Sequence, residues 1–156
     1  MPAAAYVNFG AAAPPKVYYQ YWQWCHEPWD SLTAAQAHAT LDYIRRICDF
    51  CRSKNIKLML TSVPHYWQYN GNEQGTGAPS FSSRPHKEIA LVAQRCGVPY
   101  HNAFEELKPL IVGTPQKKYY NSGDIHFNPR GYEIWADAQY RFLTDSANHL
   151  LPQGFY

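Results

Sequence analysis

The chain has no run approaching the about 18 consecutive apolar residues that a membrane-spanning helix requires, so no membrane partner is expected. Its opening, Met1-Pro2-Ala3-Ala4-Ala5, has neither the positive region nor the continuous apolar stretch of a secretory leader, and so carries no address. Charge of one sign is also scarce. Fourteen Lys and Arg against twelve Asp and Glu leave +2, and the densest basic groups are the pairs Arg45-Arg46 and Lys117-Lys118. A nucleic-acid binder gathers its positive charge along one face, so no nucleic-acid partner is expected. No H-E-x-x-H pattern points to a metal, and no Gly-x-Ser-x-Gly elbow marks a nucleophile. Ser62, Ser80, Ser82, Ser83 and Ser122 read as turn and loop serines, and neither a metal nor another cofactor is expected.

What is present suits one globular domain spanning residues 1–156, with 46% hydrophobic and 17% charged residues. The four cysteines pose a choice between metal, redox chemistry and core. Cys48 and Cys51 have C-x-x-C spacing, and Cys25-His26 could complete a set of four ligands. However, Leu41, Ile44, Cys48 and Cys51 recur at the spacing of one buried helix face, and Cys96 continues the face of Ile89 and Ala93. Core packing is the expected role.

Residues 4–9 (Ala-Ala-Tyr-Val-Asn-Phe) form a strand candidate stopped by Gly10 and the Pro14-Pro15 pair. An aromatic stretch follows from Val17 to Trp29. Thr33 with Gln36 predicts a capping box, and the helix it opens runs to about Lys54, with Asn55 left-handed. The apolar run from Ile56 to Val63 predicts a strand covered on both faces. Pro64 to Ser83 reads as a long loop carrying His65, Tyr66, Trp67 and Tyr69. A helix over Pro85 to Cys96 ends at Gly97, a short strand covers Val98 to Asn102, and a helical turn or two follows to Leu110. Asn128 as N-cap and Pro129 at the first helical position open the last helix. This alternation of strands and helices argues for a parallel sheet between helix layers.

The chemistry concentrates in Asp124-Ile125-His126-Phe127-Asn128-Pro129-Arg130-Gly131-Tyr132. Residues two apart in an extended segment point to the same side, so Asp124 and His126 can be neighbours. A carboxylate beside an imidazole fixes its tautomer and stabilises the imidazolium that forms when the other nitrogen takes a proton. The segment resembles the final block of SGNH (GDSL-type) hydrolases and acyltransferases, in which Asp and His precede a helix. Residues 4–10, 56–64 and 98–104 are similar to that family's third, fourth and fifth strands, with 85–96 as an intervening helix.

The resemblance implies a three-layer α/β/α sandwich with a flavodoxin-like parallel sheet, truncated at its N-terminus. It implies His126 as general base and acid, and Asp124 as the group that orients it. The substrate would be a small ester or an acylated carbohydrate such as an O-acetylated glycan. Tyr66 and Trp67, flat rings with polar tips, are candidates to line a sugar groove. The family's Gly-Asp-Ser nucleophile block has no counterpart here, and Gly10-Ala11-Ala12-Ala13 stands where its Gly-x-Asn-Asp block would lie. The expectation is therefore that upstream sequence supplies the serine and most oxyanion donors, the chain alone being inactive. Residues 4–9 would then be an edge that invites a partner chain or self-association. The alternative is a non-catalytic α/β module that binds glycan or protein.

Overall fold

A computed structural model describes residues 23–25, 27–70 and 82–152. Its order is α1 (Ser31–Ser53), β1 (Leu60–Thr61), α2 (Tyr66–Asn70), α3 (Arg84–Cys96), β2 (Tyr100–His101), α4 (Ala103–Ile111) and α5 (Pro129–Thr144). Short 3-10 turns stand at Gln23–Cys25, Gln116–Lys118 and Ser146–Asn148. The strand read over residues 4–9, with the edge proposed for it, lies outside the described residues.

The three-layer sandwich is not what forms. Of the described residues, 63% are helical and 5% are in strands. The sheet has two parallel strands, with Leu60 opposite Tyr100 and Thr61 opposite His101. The expected eight-residue strand assumed cover on both faces, yet Ile56 and Val63 at its ends are each 52% exposed. Without apolar cover there, pairing is confined to the centre, and helices carry the rest of the fold.

Local chemistry explains the helix ends. Asp30, rather than Thr33, caps α1: its side chain accepts the Thr33 N–H at 2.7 Å. A carboxylate at that end also complements the helix dipole. Asn55 (φ 52°) and Gly97 (φ 64°) take the left-handed conformation that closes α1 and α3. Asn128 caps α5 by accepting the Gly131 N–H at 3.0 Å, with Pro129 inside the first turn.

Two cores result. The smaller joins α1 to α3 through Cys48, Val92 and Cys96, with Leu41, Ile44, Leu58 and Leu60 against them. Burial pushes the Cys48 thiol up to about 11, and the neighbouring Cys96 thiol adds to the rise, as expected of an unreactive core cysteine. The larger core gathers Tyr66, Trp67, Leu107, Ile111, Tyr119, Tyr120, Phe127 and Ala138. It lies directly under the segment that carries Asp124 and His126.

Candidate active site at the Asp124–His126 corner

Tyr120 and Phe127 form an antiparallel bridge, so residues 121–126 are a closed turn rather than an open loop. The Asn121 N–H donates to the His126 carbonyl at 3.0 Å, and the Asp124 N–H donates to the Asn121 carbonyl at 3.1 Å. Gly123 sits at φ 70°, a conformation that costs glycine little. Both ends of the turn are anchored. The Tyr120 hydroxyl donates to the Pro64 carbonyl at 3.0 Å, and the Asn128 amide donates to the Lys117 carbonyl at 2.9 Å. Gly131 lets α5 start this close, because a Cβ there would run into the Tyr119 carbonyl and the Phe127 ring.

The turn brings the two residues together. His126 Nδ1 lies 2.9 Å from Asp124 Oδ1, which also accepts the Ile125 N–H at 2.6 Å. Partial desolvation pushes the Asp124 carboxyl up, but the bonds from the His126 ring and the Ile125 and His126 backbone outweigh it. The net effect holds the group below its ordinary value. An ionised carboxylate only accepts, so Nδ1 is the donor in this contact, and Nε2 is the nitrogen that holds the lone pair when the ring is neutral. Among the described residues no hydrogen bond engages Nε2, and the His126 side chain is 60% exposed. Even as a full ion pair, an exposed contact of this kind contributes about 0–1 kcal/mol to stability, so it is not what holds the fold together.

His65, just past the end of β1, joins the corner. Burial, and secondarily the nearby His126, lowers its imidazole to about 4, so it stays neutral. Its backbone N–H donates to Gln68 Oε1 at 2.8 Å, and His86 Nε2 meets the same oxygen at 3.0 Å. His101 goes elsewhere. It is buried beside α5, with Nε2 2.7 Å from Glu106 and Nδ1 receiving the Gln139 amide at 2.9 Å. His65 and His101 therefore lie in different surroundings and do not join Asp124 and His126 in one ligand set. Among the described residues no cluster of three or more His, Cys, Asp or Glu side chains is arranged to hold a metal ion.

Searched against protein-family models, curated proteins and solved structures, the chain matches none. The corner stands on its own geometry.

Tyr66 and Trp67 occupy the larger core at 3% and 7% exposure, in α2 rather than in a loop. The Tyr66 hydroxyl donates to the Thr114 carbonyl at 2.8 Å, so both its ring and its polar tip serve packing. Two residues at the corner carry no sequence signal. Tyr120 looks like any core aromatic, and Gln116 belongs to no motif. Gln116 Oε1 accepts the Gly123 N–H at 3.1 Å, and its Nε2 donates to the Asp124 carbonyl at 2.8 Å.

Proposed function

We propose that the chain supplies the acid–base half of a serine-type ester hydrolase or acyltransferase. His126 Nε2 would take a proton from an attacking hydroxyl and return it to the leaving alcohol, while Asp124 keeps Nδ1 protonated and steadies the imidazolium. One observation carries this reading: an ionised carboxylate 2.9 Å from the ring nitrogen of an exposed histidine, in a turn anchored to the segment that follows a parallel strand. The likeness of residues 124–132 to the closing block of SGNH hydrolases supports the same chemistry. The support lies in this corner and not in the overall architecture.

Among the described residues no hydroxyl is hydrogen-bonded to the His126 ring, and on this reading the attacking hydroxyl comes from upstream sequence. A small ester or an acylated carbohydrate is the substrate class the resemblance implies. Two proteins test the reading: the 156-residue chain, and the same chain extended through any in-frame coding sequence upstream. The short chain should not turn over a small acetyl ester. The extended chain should, through a Gly-Asp-Ser block, and His126→Ala should abolish its activity. An extended chain whose turnover survives His126→Ala would overturn the proposal.

A further inference from the structure

We propose that Gln116 is the positioning residue of the Asp124–His126 pair, gripping the turn at the peptide where the carboxylate is set. The residue is only 9% exposed. One carboxamide holds two successive residues, accepting from the Gly123 N–H at 3.1 Å and donating to the Asp124 carbonyl at 2.8 Å. Those contacts need one donor and one acceptor on a single planar group, which an amide provides and a carboxylate or an aliphatic chain does not. The Gln116 carbonyl also accepts the N–H groups of Tyr119 and Tyr120. The residue that shapes the approach to the turn therefore holds its far side as well.

This matters because all three bonds to Asp124 Oδ1 depend on the backbone at Asp124. They come from the Ile125 N–H at 2.6 Å, the His126 N–H at 3.4 Å and the His126 ring at 2.9 Å. Without Gln116 the turn keeps the bonds of Asn121 with His126 and Asp124. Those close the loop end to end and hold the Gly123–Asp124 peptide by its N–H, but they leave the Asp124–Ile125 peptide, whose N–H donates to the carboxylate, without an outside tie among the described residues. A small rotation there would separate the carboxylate from the ring.

The role presupposes the Asp124–His126 pair, and its test uses titration rather than turnover. Carbon-13 NMR of the Asp124 carboxyl in acid reports the bonds it accepts. Gln116→Ala should shift its titration upward, toward the ordinary carboxylate value. Gln116→Glu keeps the acceptor for Gly123 but loses the donor to Asp124, and it should shift the same way should the alanine variant fail to fold. Gln139→Ala, which removes a half-buried amide from the His101 network, should leave Asp124 unchanged. Unaltered Asp124 titration in a folded Gln116 variant overturns the positioning role alone. If His126→Ala also leaves Asp124 unmoved, the pair itself is wrong.

Discussion

The Tyr120 hydroxyl donates to the Pro64 carbonyl across 3.0 Å in the protein interior. This bond fastens the turn bearing Asp124 and His126 to the segment that leads from β1 into α2. Tyr120→Phe keeps the ring and its contacts with Tyr66 and Phe127 but leaves a buried carbonyl without its partner. The expected loss is about 1–3 kcal/mol, read from the urea midpoint. An unchanged midpoint would mean the bond does not hold the corner.

Gly131 tests the other anchor. A methyl group there meets the Tyr119 carbonyl and the Phe127 side chain, and backbone cannot yield as a flexible side chain would. Gly131→Ala should destabilise by about 1–3 kcal/mol, the range for overpacking. Gly97→Ala, with open space around its Cβ, should cost only the strain of its positive φ. Equal effects of the two substitutions would show that the α5 approach is not tight.

His65 and His86 make acid destabilisation a specific expectation. Burial first, and then a neighbouring histidine in each case, lowers both imidazoles to about 4. His86 Nδ1 is buried without a partner among the described residues, so a proton there would be unsolvated. Both pKa values fall below the unfolded value, so the unfolded chain binds protons first as pH falls. Stability is full above about pH 6.5 and declines between there and about pH 4, by roughly 2 kcal/mol per histidine at pH 5. Urea melts at pH 7 and pH 5 measure the loss, and His86→Phe should roughly halve it. A pH-independent midpoint over that range contradicts the burial of neutral imidazoles.

The sequence exposed those parts of the molecule that local chemistry decides. Asn128-Pro129 announced α5 because a cap and a fixed φ act within one turn, and Gly97 announced the end of α3 for the same reason. The Asp124–His126 contact was legible because two residues in one short segment can meet without help from the rest of the fold. Where two caps competed at α1, pattern chose Thr33 while Asp30 took the place, its carboxylate suiting the helix start better. The sheet was misread because apolar composition stood in for burial, and Ile56 and Val63 stay half exposed. Tyr66 and Trp67 would look the same in a groove or in a core; only long-range packing distinguishes them. Gln116 was invisible, since its two partners are fixed by the folded turn and not by spacing.

Replacing Asp124 with Asn should leave stability within about 1 kcal/mol, because the pair is exposed. The substitution should nonetheless change the ring it faces. A drop of several kcal/mol in the unfolding free energy would instead make the pair a structural fastener.

Nitrogen-15 NMR of the His126 ring above neutral pH asks the central question directly. The expected result is a proton on Nδ1 and a bare lone pair on Nε2, with that preference lost in Asp124→Asn. A wild-type ring carrying its proton on Nε2, or one indifferent to the Asp124 substitution, would contradict the assignment of His126 as an oriented base.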